Sequence, residues 1–258
     1  MTQLEKKTRE VLHRNEIDFF TNYYEGHRYH PAGWRMRLER ELRSLLHRAE
    51  SDRLGRVLSL GCGDGQFELL LAPFAEQVVG LDLSPEAIDL AKRAAQTAGV
   101  ANVHFRCMPL ENLEWSETYD TVVCLATLHH VPVEDVPGLL RHVFEHLVPG
   151  GLFYSQDPNR NGLLRVTGRV LLGHSYDHFH TPDERELDPK ELAEQLSEAG
   201  FESIHIGYID LTLIPGLFVL TRGPAWPMRL MLWTDWLWCH SPFARWASGL
   251  YASAQRRR

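Results

Sequence analysis

Glycines stand at alternate positions, Gly61, Gly63 and Gly65, within the stretch Val57–Leu71 (VLSLGCGDGQFELLL). Seventeen residues past Gly65 a second apolar run ends in Asp82. Glycine has no Cβ, so a turn built from it lets the backbone come up against a ligand. A carboxylate at the tip of the next strand is placed to accept hydrogen bonds from ribose hydroxyls. Together these features describe a nucleoside site. A redox dinucleotide favours G-x-G-x-x-G, which sets a helix N-terminus against the pyrophosphate. Here the residue three past Gly63 is Gln66, a spacing that suits a ligand without a pyrophosphate.

Two groups of residues could move protons. His129 and His130 follow the apolar run Thr121–Leu125, where an imidazole could take a proton from an acceptor. The alternative is that one of them caps or packs under the following helix. The second group is His174, Tyr176, His178 and His180, in GHSYDHFHTP. Alternation puts them on one face if the segment is extended, either as a substrate-facing lid or as a polar surface loop. Those histidines lack helical i, i+4 spacing, and none of Cys62, Cys107, Cys124 and Cys239 forms a C-x-x-C pair, so no metal site is expected. Cys62, Cys107 and Cys124 lie in or beside apolar strands and read as small packed hydrophobes.

The elements that must hold these residues alternate. Strands are predicted over 56–60, 77–81, 103–107, 121–125, 152–155, 201–208 and 249–255. Helices follow at about 67–74, from Ser84 with Pro85 in its first turn to about Thr97, at about 136–147, and from Asp188-Pro189-Lys190-Glu191 to Gly200. Such alternation predicts an α/β, Rossmann-like doubly wound, mostly parallel seven-stranded sheet with helices on both faces. Ligands in such sheets sit outside the carboxyl ends of the strands. Residues 1–54 read as an N-terminal helical cap, with Leu38, Leu42, Leu45 and Leu46 on one stripe. Residues 55–258 read as the ligand-binding domain, with a lid-like insertion over 158–187 and a helical excursion over 211–247.

The net charge of −7 argues against a nucleic-acid partner, which usually leaves a basic footprint. The N-terminal segment is charged and polar, which predicts no signal peptide. No apolar run reaches transmembrane length, and the scattered cysteines fit a reducing, cytoplasmic setting. The excursion holds Trp226, Trp233, Trp236, Trp238 and Trp246, five of the seven tryptophans. It reads as core packing, a roof over an apolar acceptor, a homodimer contact or a peripheral membrane contact.

Four signatures in order, VLSLGCGDG, VVGLDLSPEAIDLAKRAA, YDTVVCLATLHHV and HLVPGG before a strand, resemble the class I S-adenosylmethionine-dependent methyltransferases. The likeness is to the small-molecule and quinone-type subgroup, and it covers about 56–155 well and 188–208 plausibly. It implies S-adenosylmethionine as cofactor. The turn Gly61-Cys62-Gly63 would meet its methionine moiety, Asp82 its ribose, and Leu83 its adenine. Met108, Pro109 and Leu110 would line the adenine edge, and Leu125 would offer backbone to the amino group. In similar enzymes a tyrosine of an N-terminal helix closes over the cofactor, which points to Tyr23 or Tyr24. Two departures stand out: Ser59 replaces a usual acidic residue that partners the methionine ammonium, and Met108-Pro109-Leu110 replaces a segment bearing Asp. Glu111 and Asn112 are nearby candidates to compensate. Joined to the reading of the residues, it leads to the expectation of methyl transfer to a small apolar or aromatic acceptor, at oxygen by preference, with His129 or His130 as candidate base and His174, Tyr176 and His178 of the lid-like insertion as candidates to face the substrate. The rivals are a nicotinamide-dependent oxidoreductase, which the absence of a clear Tyr-x-x-x-Lys disfavours, and a non-catalytic binding protein.

Overall fold

The computed structural model describes residues 14, 15, 17, 31–110, 117–172, 184–211, 213, 217 and 222–258. Helix α1 (Pro31–Ala49) is followed by β1 (Arg56–Leu60), α2 (Gln66–Leu71), β2 (Gln77–Asp82), α3 (Pro85–Ala98), β3 (Val103–Cys107) and β4 (Tyr119–Leu125). Then come α4 (Val136–His146), β5 (Leu147–Pro158), α5 (Leu163–Leu172), α6 (Pro189–Glu198), β6 (Glu202–Ile209), α7 (Trp226–Cys239) and β7 (Gly249–Gln255). The strands form one seven-stranded sheet in the order β3-β2-β1-β4-β5-β7-β6. The strands β1 to β5 pair in parallel, and β7 runs antiparallel to both its neighbours. Strand order reverses between β1 and β4, so the crevice of a doubly wound sheet opens at their carboxyl ends.

Alternation within the central strands divides the core in two. Val57, Val78, Val123 and Tyr154 face α1, α2 and α3, where they meet Leu42, Leu45, Phe67, Leu71 and Ile88. Leu58, Leu81, Val122 and Phe153 face the other way, toward Leu140 and Val143 of α4 and Leu192 and Leu196 of α6. A strand covered on both sides is apolar throughout, which is why β4 reads as a continuous run. Local signals fix the helix ends. The Ser84 hydroxyl accepts the Ala87 N–H at 3.2 Å, and Gly99 closes α3 in the left-handed conformation. Asp188 accepts the N–H groups of Lys190 and Glu191 at the start of α6.

Two expectations are corrected. Strand β5 is not confined to 152–155; it runs on to Pro158, because Asp157 and Pro158 keep their pairing with Leu250 and Gly249 of β7. The insertion expected from 158 thus begins with the end of a central strand, and its far end returns through a bridge between Asn159 and Leu187. Cys107 is exposed, whereas Cys62 and Cys124 are buried. It ends an outer strand of the sheet, and among the described residues no further strand lies beyond it to cover it.

Candidate active site

The turn after β1 is built on left-handed backbone: Gly61, Gly63 and Gly65 have φ of 71°, 53° and 79°. A Cβ at Gly61 would collide with Thr127 Oγ1, and one at Gly65 would lie 2.7 Å from the Phe105 ring. Conformation and close approach both therefore demand glycine there. Asp82 ties this loop to the next helix. Its Oδ2 accepts the Gly63 N–H at 2.8 Å and its Oδ1 accepts the Ser84 N–H at 2.9 Å. Each oxygen keeps a further lone pair for a ribose hydroxyl. Burial pushes the Asp82 carboxyl above its ordinary range, against the pull of these N–H donors.

The rest of the expected cofactor set gathers at the same end of the sheet. Cys62 N–H donates to the Leu81 carbonyl at 2.9 Å, and Met108 N–H donates to the Asp82 carbonyl at 2.9 Å. Leu83, Met108, Pro109 and Leu110 are half-buried around the Asp82 tip. Leu125 ends β4 beside the glycine turn, and Thr127 Oγ1 bridges the carbonyls of Leu60 and Leu125 at 3.1 and 3.0 Å. The Cys62 thiol is pushed well above its ordinary value by burial and by the negative charges of Glu68 and Asp82, so it packs rather than reacts. Tyr23 and Tyr24 lie outside the described residues, as do Glu111, Asn112, His174, Tyr176, His178 and His180.

Ser59 is also at this end, and its neighbour was not foreseen. Its hydroxyl donates to Glu68 Oε1 at 2.6 Å. Both residues are 2% exposed, and Glu68 Oε2 is buried without a hydrogen-bond partner. Burial raises the Glu68 carboxyl from 4.5 to about 7; the Ser59 bond opposes the rise, and Asp64 and Asp82 add to it.

Past β4 the chain makes a 3-10 turn, Leu128–His130, which brings the two histidines up differently. His129 is 5% exposed. Its Nδ1 lies 2.9 Å from Asp157 Oδ1, and its backbone N–H reaches the same oxygen at 3.3 Å. Asp157 is fully buried on β5, which pushes its carboxyl well up, while the backbone N–H groups of His129, Thr127 and Leu128 pull it back. The Arg185 N–H donates to the His129 carbonyl at 2.9 Å. That bond carries Glu184 to the imidazole, with Oε1 3.7 Å from Nε2. His130 is half-buried, with its ring centroid 4.0 Å from that of His129. One ligand atom each of His129, His130 and Glu184 falls within 4.8 Å of the others, a spacing that a single divalent cation could span.

Asp157, Glu184 and Glu68 escaped the sequence reading. Asp157 ends the strand beside β4, so a carboxylate at a strand's carboxyl end was the available signal. Glu68 carried another: a glutamate between Phe67 and Leu71 on the buried face of α2.

A family model described as a methyltransferase domain matches residues 34–206. The chain is 33% identical over 180 residues to the ubiquinone biosynthesis O-methyltransferase of Bordetella pertussis, covering 65% of this chain and 70% of that protein. It is 32% identical over 159 residues to the enzyme of the same name from Bordetella avium, covering 57% of this chain and 62% of that protein. Among solved structures, magnesium protoporphyrin IX methyltransferase from Synechocystis PCC 6803 with bound SAH superposes with a TM-score of 0.59. That pair is 19% identical, and the match covers 87% of this chain and 84% of the other.

Proposed function

We propose, on the premise that this chain belongs to the class I S-adenosylmethionine-dependent methyltransferases, that it carries a methyl group from S-adenosylmethionine to a hydroxyl oxygen of a small apolar or aromatic acceptor. The observation that carries the choice of oxygen is the buried His129–Asp157 pair at the end of β4. The names of the curated relatives, both O-methyltransferases, support the same atom. With the family established, the nicotinamide reading falls away.

In this reading Gly61, Cys62, Gly63, Asp82, Leu83, Met108, Pro109, Leu110 and Leu125 hold the cofactor, with Tyr23 or Tyr24 closing over it. The sulfonium methyl is already activated, so the protein supplies alignment and removes a proton. An acceptor oxygen lone pair forms the new O–CH3 bond as the C–S bond breaks, leaving S-adenosylhomocysteine. The hydroxyl proton passes to His129 Nε2. Asp157 accepts from Nδ1–H and so fixes the tautomer that leaves Nε2 basic. His130 packs beside His129 at the acceptor's entry, and His174, Tyr176 and His178 face the substrate. The exposed side chains of α7, Trp226, Leu230, Trp233 and Trp236, present an apolar face toward a lipid surface or a second copy. No helix among the described residues is long and apolar enough to cross a membrane.

His129→Gln tests the assignment with labelled S-adenosylmethionine and a panel of alkylated phenols. Cofactor binding should persist while transfer falls by roughly 10²- to 10⁴-fold, the usual contribution of a general base. The deficit should shrink as rising pH ionises the phenol. Unchanged turnover would remove His129 from the chemistry. Turnover lost on chelation and restored by a divalent cation would assign the His129, His130 and Glu184 group to a metal instead. Cofactor binding without transfer to any acceptor would favour the non-catalytic reading.

A further inference from the structure

We infer that Glu68 is the anionic partner of the cofactor's α-ammonium group, so that the charge missing from strand position 59 is delivered from helix α2. The inference rests on the family's cofactor and is independent of the acceptor and of the base.

A buried carboxylate is costly unless a cation or several donors answer it. Glu68 has only neutral donors, the Ser59 hydroxyl on Oε1 at 2.6 Å and its own backbone N–H, and its Oε2 is buried without a hydrogen-bond partner. The charges nearest to it make matters worse. Asp64 in the glycine loop and Asp82 at the tip of β2 are both negative, and the Cys62 thiol stays neutral. A glutamine or a leucine would fill the place at lower cost, so the carboxylate answers to something that arrives. The cofactor brings two positive centres, the sulfonium and the α-ammonium, against one carboxylate. Its amino-acid end must approach the loop of Gly61 and Gly63, because Asp82 fixes the ribose end. Glu68 belongs to the first turn of the helix that this loop opens, and its hydrogen bond to Ser59 sets its carboxyl under the end of β1. The usual arrangement of an acid on the strand has thus been exchanged for a hydroxyl on the strand and an acid on the helix.

The test compares two probes, S-adenosylhomocysteine, which bears the ammonium, and 5′-methylthioadenosine, which lacks the whole amino-acid end. Binding is measured calorimetrically to the parent, to Glu68→Gln and to the double variant Ser59→Asp/Glu68→Ser. Glu68→Gln should weaken S-adenosylhomocysteine by roughly tenfold to a hundredfold, the worth of a hydrogen bond to a charged group, and leave 5′-methylthioadenosine within about twofold. The double variant, which returns the acid to the strand, should recover most of the loss. The parent's preference for the ammonium-bearing probe should also rise between pH 6 and 8 as Glu68 ionises, and it should be flat in Glu68→Gln. Asp82 faces the ribose that both probes share, so its contribution cancels in the ratio. Equal weakening of both probes by Glu68→Gln would make Glu68 a prop for the loop and overturn the inference, as would unchanged affinity for S-adenosylhomocysteine. A parent that binds neither probe would instead break the family reading itself.

Discussion

At the scale of single residues, the site keeps acids where water cannot reach them. Glu68 gives this a measurable consequence. In the unfolded chain its carboxyl ionises near 4.5, and in the folded, cofactor-free protein burial lifts it to about 7. The fold therefore holds this proton more tightly than the unfolded chain does. The stabilisation is fully present below pH 4.5 and is lost as pH rises through about 7. The shift corresponds to about 3 kcal/mol. Cofactor-free Glu68→Gln, which keeps an acceptor for Ser59 but carries no charge, should match the parent in denaturant at pH 4 and exceed it by about that amount at pH 8. A variant less stable than the parent at pH 8 would contradict this balance. Residues of this kind explain the limits of reading the chain unaided. Gly61, Gly63 and Asp82 announce themselves because their spacing along the chain is the motif. Asp157 and Glu184 do not, since each becomes a partner of His129 only through pairings between segments distant in sequence. In SQDPN, Asp157 looks like a polar turn residue; the ladder to Leu250 buries it.

At the scale of elements, boundaries were legible wherever a local signal sets them. Strands β1, β3 and β7 and the start and stop of α3 follow from the apolar runs, the Ser84 cap and Gly99. The end of β5 was not legible. The Pro-Gly-Gly at 149–151 reads as a breaker, yet the strand spans it, and Gly150 takes up the irregularity at φ 83°. The glycine loop sits between these cases. Gly65 is at once the N-cap of α2 and the point where the loop presses on Phe105 and Ala91. Gly65→Ala should therefore cost about 2–4 kcal/mol, from left-handed strain and overpacking together. Ser84→Ala should cost about 1 kcal/mol, the worth of a lost cap. Thermal melts of the two variants would test that ordering; a Gly65→Ala protein as stable as Ser84→Ala would mean that the loop relaxes away from Phe105.

At the scale of the molecule, the parts least like a plain Rossmann sheet are joined by buried charge. Arg37 and Arg40 of α1 both bond Asp210, just past β6, and Arg40 also approaches Asp235 of α7 at 3.7 Å. Arg37 donates to Gln156 of β5 at 2.5 Å, while Tyr154 of the same strand donates to Glu41 of α1 at 3.2 Å. Asp210, 1% exposed and held at a left-handed φ of 61°, is the hub. Burial alone would raise its carboxyl, but the charges of Arg40 and Arg37 prevail and hold it below its ordinary value of 3.8. A depressed carboxyl stabilises the fold above the unfolded value and loses that contribution as pH falls through the folded one. Helices α1 and α7 should then loosen together in acid, below about pH 4. Asp210→Asn removes the charge and leaves the buried Arg37 and the partly buried Arg40 facing an amide. Breaking a buried pair from one side costs about 3–5 kcal/mol, so this variant should lose about that much at neutral pH. Its amide hydrogen exchange should quicken in α1 and α7 before it does in β1 and β4. Loss confined to α7, with α1 still protected, would show that the central strands hold α1 without this cluster, and that the two helices are independent.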